Sequence, residues 1–407
     1  MMETIPLRHL AEVNPRTVEF DRLSDDDEVT FLPLETVWAD GHADFSRRRP
    51  KTDVSTGYTR FRTGDVLVPK VTPTFQAGRV AIADLDTPAG AGTTELHIIR
   101  ARPGLSDPRF LGYVCRSAPF LSEGVSAFQG VAGLQRVPDE YLRSFPVADL
   151  DLDEQRRIAD FLDAETGQMD RLLALRRRQA AAVVDRTQRA LDDLFIRPQL
   201  PTTRLKHLLR QRLSYGVLVP RFIDDGGVRL IRVNDLVDLP ARAEQLAQID
   251  RRQSLEYART VVAEGDLLVS VVGTVGRSAV VPSVVAGSNI ARAVARLQPA
   301  HTIGSRVLWL WTQSADFKRQ VELATEGDTA QPTLNVGDLG NFVIALPTER
   351  SSRDSLTTEA ATAVKVRDEL LSANARQASL ISMRRQALIT AAVTGQIDVT
   401  TAGNATP

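Results

Sequence analysis

The sequence predicts an α+β protein in which two globular α/β domains are separated by two long helices that form an antiparallel coiled coil. Three observations support this fold class: a heptad stripe from Asp153 to Ile196, a long proline-free stretch from Ser352 to Val393, and an internal repeat of about 200 residues. Doubling of this size predicts a pseudo-two-fold architecture. The predicted order is a domain at 1–150, a helix at 151–197, a domain at 198–348, a helix at 349–396 and a flexible tail at 397–407.

Length and composition are those of an ordinary soluble protein. The chain has 407 residues, of which 43% are hydrophobic and 25% charged, and its net charge is −1. No apolar run approaches the roughly 18–20 residues that span a bilayer, and the N-terminus lacks a signal-peptide pattern. A single cysteine, Cys115, excludes an internal disulfide or a cysteine-built zinc site. We therefore expect a cytoplasmic protein without membrane contact.

The first domain has the pattern of a mixed α/β domain. Gly64 and Asp65 form a turn before an apolar run, which predicts a buried strand. Asp107 and Pro108 predict the start of a short helix, because aspartate caps free N–H groups and proline suits the first helical position. The strands are predicted at Val29–Leu34, Val66–Pro69, Gly78–Ala83 and Leu96–Arg100, and the helix at Arg109–Arg116.

The stretch from Asp153 to Ile196 has apolar or small residues at alternating steps of three and four, which is typical of a helix that packs against another helix. Asp153 and Glu154 place negative charge in its first turn, where it suits the helix dipole. Gly167 predicts a bend, since glycine costs about 1 kcal/mol relative to alanine within a helix. The residues predicted to pack from this helix are Ile158, Leu162, Met169, Leu172, Val183 and Leu194.

The second half repeats the pattern of the first. The run Gly64–Val68 returns as Gly265–Val269, and several shorter matches follow in the same order. The second long helix follows the second domain, and Gly395 predicts its end. Its predicted packing residues are Leu356, Leu370, Ile381 and Leu388.

Motifs for catalysis are missing from the sequence. There is no P-loop, no G-x-S-x-G and no H-E-x-x-H. The closest approach to an amino-methyltransferase motif is Asn14-Pro15-Arg16, which lacks the second proline and the aromatic residue. The run Gly273–Gly276 is better explained by a hairpin turn than by a phosphate cradle. The sequence therefore predicts a non-catalytic chain that holds no metal or cofactor.

Polar and basic residues occupy loops at matching points of both halves. These residue types read base edges in the major groove and grip phosphates, although any one of them could equally be a solvated loop residue. Residues 201–300 carry a clear excess of basic over acidic residues. The candidates in the first half are Arg47, Arg48, Arg49, Lys51, Lys70, Thr72, Thr74, Gln76 and Arg79. Those in the second half are Arg212, Ser214, Tyr215, Thr274, Arg277, Ser288, Asn289 and Arg292.

These features resemble the specificity (S) subunit of type I restriction–modification enzymes. The doubled Gly-Asp run, Asp107–Leu111, and the end of the second helix at Arg385–Ile397 all carry the resemblance. The segment Asp153–Asp163 is similar to the glutamate–glutamine opening of the family's first spacer helix. The second helix departs from the pattern, because Thr348–Arg353 lacks the glutamate–glutamine pair.

The resemblance implies two target-recognition domains, each reading one half of a split, asymmetric site in double-stranded DNA. It also implies two spacer helices that dock two methyltransferase (M) subunits, with motor-nuclease (R) subunits joining the full complex. S-adenosylmethionine, ATP and Mg would then belong to those partner subunits and not to this chain. The polar loop residues become candidate DNA contacts.

Two other functions fit parts of the sequence. A coiled-coil adaptor or scaffold would need the helices but not DNA. A self-contained restriction or methylation enzyme would need catalytic motifs, and their absence from the sequence counts against it.

Overall fold

The computed structural model describes residues 3–39, 41–130, 135–196, 200–326, 332–347 and 349–399, apart from the side chain of residue 356. The chain forms two compact units. Unit 1 consists of Met1–Leu175 and Ala375–Pro407, and unit 2 of Arg176–Asn374. No helix in the described ranges is long and apolar enough to cross a membrane.

Unit 1 is a mixture of short strands and helices. Its strands are β1 (Thr4–Pro6), β2 (Ala11–Val13), β3 (Glu28–Leu32), β4 (Arg48–Pro50), β5 (Thr59–Phe61), β6 (Val66–Pro69), β7 (Ala81–Ile82), β8 (Gly90–Gly92), β9 (Leu96–Ala101) and β10 (Pro146–Ala148). Its helices are α1 (Leu7–Leu10), α2 (Val18–Asp21), α3 (Pro108–Arg116), α4 (Ala118–Ser126) and α5 (Asp139–Ser144), and the long α6 (Leu152–Phe195) begins here. Short 3₁₀ turns lie at Leu34–Thr36 and Lys51–Val54.

The strands of unit 1 form two four-stranded sheets and one two-stranded sheet. One sheet has the order β2-β9-β6-β7 and is antiparallel throughout. The other has the order β4-β3-β8-β5, in which β3 and β8 are parallel. β1 pairs with β10 and brings the two ends of the globular part together. The predicted strand at 78–83 is shortened to Ala81–Ile82, because Gly78 has a φ of +63° and belongs to a turn.

Unit 2 repeats most of this topology and differs in its second four-stranded sheet. Its strands are β11 (Thr202–Arg204), β12 (Ser214–Tyr215), β13 (Phe222–Ile223), β14 (Val228–Ile231), β15 (Ala247–Ile249), β16 (Leu267–Ser270), β17 (Ser278–Val280), β18 (Asn289–Ile290), β19 (Val294–Leu297) and β20 (Val343–Ala345). Its helices are α7 (Leu239–Arg242), α8 (Arg251–Glu256), α9 (Ser305–Gln313), α10 (Ala315–Thr325) and α11 (Val336–Asn341), and the long α12 (Arg350–Val393) begins here. Short 3₁₀ turns lie at Leu205–Leu208, Val233–Val237, Ala243–Gln245, Ala258–Thr260 and Ser283–Val285.

The repeat seen in the sequence is present in the sheets. The order β12-β19-β16-β17 matches β2-β9-β6-β7, and β14 and β18 form the parallel pair that β3 and β8 form in unit 1. The second four-stranded sheet of unit 2 has the order β13-β15-β14-β18. β11 pairs with β20 as β1 does with β10. The turn between β16 and β17 contains two glycines of positive φ, Gly273 and Gly276, as the hairpin prediction requires.

The doubled Gly-Asp run has the same structure in both units. Gly64 and Gly265 have φ values of +86° and +81°, which favour glycine. The aspartate after each glycine is buried and ion-paired: Asp65 lies 2.7 Å from Arg100, and Asp266 lies 2.6 Å from Arg296. Each aspartate also accepts the N–H of the residue three positions earlier. The motif therefore fixes a turn and a buried charge pair.

The ends of the long helices belong to the cores of the units. In unit 1, Ile158 and Leu162 of α6 and Ile389 and Val393 of α12 pack in one cluster with Phe110. In unit 2, the corresponding cluster contains residues from the end of α6, the start of α12 and α9, namely Leu191, Leu194, Ala360, Val364 and Trp311. Burial of this apolar surface stabilises each helix where its own charged sequence would not.

Within each unit the two long helices run antiparallel. In unit 1, Asp170 pairs with Arg385 at 2.7 Å, whereas the earlier Ile158 packs near the later Val393. In unit 2, the carbonyl of Arg176 accepts from the side chain of Asn374, and the hydroxyl of Thr187 lies 3.4 Å from the carbonyl of Ala363. The helix α6 is continuous through Gly167, and the bend predicted at this residue stays a prediction.

The predicted packing residues of the helices fall into three groups. Ile158, Leu162, Met169 and Leu194 are buried, and Val183, Ile381 and Leu388 are half-buried. Leu172 and Leu370 are 42% and 41% exposed, so the heptad pattern overstates the buried seam at these two positions. The side chain of Leu356 lies outside the described residues. In the predicted tail, Ile397 and Val399 pack half-buried against the unit 1 core, and residues 400–407 lie outside the described ranges.

Candidate nucleic-acid interface

The basic run around β4 in unit 1 is largely engaged in contacts within the unit. Arg48 is ion-paired with Asp86, and this hydrogen bond lowers the pKa of the carboxyl. Lys51 donates to the carbonyl of Leu23 and lies 3.8 Å from Asp25. The guanidinium of Arg49 lies 4.2 Å from the centre of the Phe31 ring, and the half-exposed Arg47 lies 4.0 Å from Glu35. These contacts hold the cations in fixed positions.

The loop from Lys70 to Arg79 is anchored by one aromatic residue. Phe75 is buried and packs against Phe120 and Phe128. The neighbouring polar candidates divide by exposure: Gln76 is exposed, whereas Lys70, Thr72, Thr74 and Arg79 are half-buried. The hydroxyl of Thr74 donates to the carbonyl of Val71 at 2.7 Å, and Arg79 lies 3.5 Å from the carbonyl of Val37. Of this group, Gln76 is the side chain most available to a ligand.

Among the described residues, the candidates in unit 2 include arginines without an acidic partner. Arg212 and Arg292 are exposed and Arg277 is half-buried. In the part of the chain that the structure describes, none of these three arginines forms an ion pair. Thr274 is exposed in the turn between β16 and β17. Free arginines of this kind suit phosphates, which their guanidinium groups can bind in a bidentate manner.

Three predicted residues of unit 2 line one pocket of about 390 Å³ together with two arginines that the sequence analysis did not single out. Its lining is Gln211, Arg212, Leu213, Ser214, Tyr215, Arg259, Arg296 and Gln298. Arg296 is held by Asp266 and donates to the carbonyl of Arg259 at 3.1 Å. The Tyr215 hydroxyl accepts the N–H of Val336 at 3.2 Å. An arginine follows the Gly-Asp run in both halves, 35 residues after Asp65 and 30 residues after Asp266, and this recurrence was the signal that could have identified Arg296.

The structure corrects the prediction that Ser288 and Asn289 contact DNA. Both are buried, and the side chain of Asn289 is fully enclosed. Its oxygen accepts from Ser254 at 2.7 Å, and its nitrogen donates to the hydroxyl of Thr260 at 2.8 Å. A buried amide whose hydrogen bonds are satisfied internally has none left for a base edge. We therefore assign both residues to the structure of unit 2 and not to the interface.

The glutamate–glutamine opening of α6 has a structural role that its sequence did not reveal. Glu154 and Asp151 cap each other's backbone N–H groups. Gln155 is fully buried; it donates to the carbonyls of Leu105 and Leu150 and accepts the N–H of Asp107. The pair therefore fastens the start of α6 to the globular part of unit 1.

The second helix makes an equivalent attachment with a different residue. Arg353 donates to the carbonyl of Pro347 at 2.9 Å and to that of Thr302 at 3.3 Å. These two carbonyls occupy the repeat positions of Leu150 and Leu105. The absence of a glutamine from this part of the sequence is therefore compensated by the arginine.

A groove of about 910 Å³ lies between the long helices within unit 2. It is lined by Val183, Arg186, Thr187, Ala190, Asp354, Ser355, Thr358, Glu359, Thr362, Ala363, Val366 and Leu370. Leu172 and Leu175 of α6 are likewise exposed in unit 1. In the described ranges, no group of three or more His, Cys, Asp or Glu side chains could hold a metal ion.

Two α/β units that share the order of one four-stranded sheet, each built around paired ends of two long helices, define a duplicated α/β protein. Curated proteins with similar sequences include specificity subunits. The chain is 35% identical over 159 residues to the type I restriction enzyme EcoAI specificity subunit of Escherichia coli, which is 38% of this chain and 26% of that protein. The EcoBI specificity subunit of the same organism is 35% identical over 136 residues, which is 33% of this chain and 28% of that protein. The chain thus matches about a quarter of the length of these curated relatives. No protein-family model matches it.

Solved structures have the same fold over the whole chain. A chain from a type I R-M system, solved to explain complex assembly and conformational transition, has a TM-score of 0.73 at 19% identity, and covers 97% of this chain and 98% of its own. The HsdS subunit from Thermoanaerobacter tengcongensis has a TM-score of 0.53 at 18% identity, with 97% of each chain covered. At these identities the likeness concerns the fold.

Proposed function

We propose that this chain is the DNA-sequence-recognition subunit of a type I restriction–modification complex, and that it reads a bipartite, asymmetric site in double-stranded DNA. The observation that carries the proposal is its sequence similarity to specificity subunits, together with a fold shared along the whole chain with HsdS. The chain itself is proposed to be non-catalytic. The predicted domains at 1–150 and 198–348 are proposed as the two target-recognition domains.

The proposed mechanism separates affinity from selectivity. Exposed arginines such as Arg212 and Arg292 bind phosphates and give a salt-dependent affinity for any DNA. Polar side chains such as Gln76 in unit 1 and Ser214 in unit 2 then contact base edges, each good bidentate contact adding about 1–3 kcal/mol of discrimination. The cations of the basic run in unit 1 mostly contact groups within their own unit, whereas the candidate arginines of unit 2 form no ion pair among the described residues. This difference suits two different half-sites.

The helices α6 and α12 are proposed to dock two methyltransferase (M) subunits and to set the distance between half-sites. Exposed apolar residues on both helices, among them Leu172, Leu175, Val366 and Leu370, support the docking. Motor-nuclease (R) subunits would join through the M subunits. S-adenosylmethionine, ATP and Mg are proposed to bind to these partners.

Single-molecule methylome sequencing tests the proposal in cells. A strain that carries this chain with its methyltransferase partner should show a split methylated motif, and deletion of this chain alone should abolish it. A methylome unchanged by the deletion would contradict the proposal.

A gel shift separates the alternatives in vitro. The chain with its methyltransferase partner should select one sequence from a pool of duplexes, and its binding to unrelated duplexes should weaken steeply from low to high salt. Loss of all sequence selectivity would favour the adaptor or scaffold. Transfer of methyl groups to DNA by the purified chain alone would favour the self-contained enzyme.

A further inference from the structure

The connection between β12 and β14 in unit 2 exposes apolar side chains that have no role in the proposed function. We call Val217–Phe222, which ends at the first residue of β13, the apolar loop. Leu218, Val219 and Phe222 are 58%, 76% and 56% exposed, whereas Val217 is buried. Three large apolar side chains exposed within five residues of one loop mark a contact surface more than a random scatter.

The backbone of the apolar loop is held by a buried side chain. Gln253 is 3% exposed; its nitrogen donates to the carbonyl of Val219 at 2.8 Å, and its oxygen accepts the N–H of Arg221 at 2.7 Å. The carbonyl of Arg221 accepts the N–H of Asp250 at 3.1 Å. Because both sides of the tip are fastened, the apolar side chains project from an ordered backbone.

The start of the apolar loop is fastened in the same way. Val217 donates its N–H to the carbonyl of Ile290 at 2.7 Å and accepts the N–H of Arg292 at 2.9 Å. A Cβ at Gly216 would lie 2.0 Å from the carbonyl oxygen of Ile290, so this close approach of two backbones requires glycine. Exposure of apolar side chains to water is unfavourable, and several specific backbone contacts nevertheless hold this loop in a conformation that exposes them.

Charges of both signs lie around the apolar loop, and the arginines among them are exposed. Arg221, Arg252 and Arg292 are exposed and, among the described residues, form no ion pair. The acidic residues nearby in the chain are Asp224 and Asp225, which are exposed, and Asp250, which caps α8. An apolar tip flanked by free arginines complements a polyanion that also offers apolar surface.

We propose that the apolar loop is a wedge that inserts between adjacent bases of the half-site read by unit 2. This inference rests on the proposed function. Phosphates and most base edges are polar. The stacked faces of the bases are the surfaces of a duplex that offer apolar contact to leucine, valine and phenylalanine. Insertion costs the stacking free energy of one base step and gains contact with the bent duplex. The flanking arginines would hold the phosphates beside the opened step.

The corresponding connection in unit 1 has no such tip. Between β2 and β3, a stretch that the structure describes throughout, the aromatic residue Phe20 is fully buried in α2, and Val18 is the single large apolar residue that is exposed there, at 45%. The wedge is therefore confined to unit 2. We expect distortion of the DNA in one half-site and not in the other, which gives the test an internal reference.

Fluorescence of 2-aminopurine tests the wedge, because this base brightens when it is unstacked. The probes are duplexes enriched from a random pool by the full-length chain with its methyltransferase partner, with 2-aminopurine placed in turn at each adenine. The wild-type complex should raise the fluorescence several-fold at one step of one half-site. The triple variant Leu218→Ser, Val219→Ser, Phe222→Ser should lose this increase and bind the selected duplex about tenfold or more weakly.

Matched variants separate the wedge from general damage. Leu323→Ser changes a residue that is 61% exposed on α10 of the same unit and should leave binding and fluorescence unchanged. Because no charge changes in the triple variant, its salt-dependent binding to unrelated DNA should remain that of the wild type.

Each outcome decides between the two proposals. Selective binding without a bright position anywhere, or with brightness unchanged in the triple variant, would overturn the wedge and leave the proposed function intact. A second result would also overturn the wedge and leave the proposed function intact. If replacing thymine by uracil, which lacks the methyl group, weakened binding while every base stayed stacked, the loop would contact methyl groups in the groove and not base faces. Failure of the wild-type complex to enrich any sequence would overturn the proposed function itself.

Discussion

His97 on β9 is a buried histidine whose surroundings favour the neutral ring. The carbonyl of Val137, 2.9 Å from Nε2, can only accept a hydrogen bond, so we assign the ring hydrogen to Nε2. Nδ1 then accepts from the Asn14 side chain at 3.2 Å and lies 3.3 Å from Asp139. Burial is the largest effect on this group and lowers the pKa of His97 to about 4.

This pKa predicts acid sensitivity of unit 1 in a defined window. The unfolded chain has the ordinary histidine pKa of 6.5, so between pH 6.5 and 4 the unfolded state binds the extra proton. The free energy of unfolding should therefore be fully present above pH 6.5 and fall by a few kcal/mol as the pH drops to 4. Urea unfolding followed by circular dichroism at a series of pH values measures this.

A glutamine at the same position is the control. His97→Gln can still donate to Val137 but cannot ionise, so its stability should lack the dependence between pH 6.5 and 4. Glu95, whose pKa is lowered chiefly by its hydrogen bond from Arg136, acts only below its ordinary value of 4.5. A slope between pH 6.5 and 5 that persists in His97→Gln would contradict the assignment to this residue.

At the scale of elements, the attachment of α6 through Gln155 predicts a large effect of a small change. Gln155→Ala leaves the carbonyls of Leu105 and Leu150 and the N–H of Asp107 without this partner. Unit 1 should be destabilised by about 1–3 kcal/mol, because unsatisfied buried groups keep their desolvation cost. Cys115 reports the change: it is the only cysteine, it lies fully buried in α3, and burial raises the pKa of its thiol. Thiol labelling should accelerate in the variant.

The equivalent change in unit 2 is Arg353→Ala, and the reporter there is Trp311, which is fully buried, in a chain in which Trp38 and Trp309 are replaced by phenylalanine. Its fluorescence should shift at lower urea concentration in this variant. If Arg353→Ala left the urea midpoint of Trp311 unchanged, the compensation inferred for the second helix would be wrong.

These two attachments show how much of the elements the sequence could predict. The doubled Gly-Asp run, the hairpin at Gly273 and both long helices follow from local rules on turns, caps and periodicity. The sequence could not identify Arg353 as the residue equivalent to Gln155 in the second half, since the two side chains share neither size nor charge. Their equivalence depends on which carbonyls they reach, and only the folded chain shows this.

The candidate interface was less predictable for a similar reason. Asn289 and Arg292 are both polar residues near the end of a strand, but the first is enclosed and the second exposed. Nothing in residue type distinguishes them, because the direction of a loop side chain depends on contacts with Ser254 and Thr260, far away in sequence. The apolar loop was missed because an apolar residue in a loop is normally assumed to be buried.

At the scale of the whole molecule, the same limit applies to the heptad stripe. It predicted two long helices, and these are present as Leu152–Phe195 and Arg350–Val393. Two of the residues predicted to pack, Leu172 and Leu370, are nevertheless exposed in this chain. Periodicity identifies an apolar face but not what covers it. The proposed docking of M subunits would account for the exposed part of that face.

The proposed role of the helices as a spacer makes a quantitative prediction about the DNA site. Deleting residues 176–182 from α6 and 371–377 from α12 removes one heptad from each helix, keeps the apolar period in register and retains Leu172, Leu175 and Leu370. Seven helical residues correspond to a rise of about 10 Å, which is close to that of three base pairs. The spacer between the two half-sites should therefore shorten by about three base pairs while both half-site sequences stay the same. Methylome sequencing of cells carrying the double deletion measures this directly. Deletion from one helix alone breaks the antiparallel register and should abolish methylation. If the double deletion methylated its motif with the original spacer, the helices would not set the distance between half-sites.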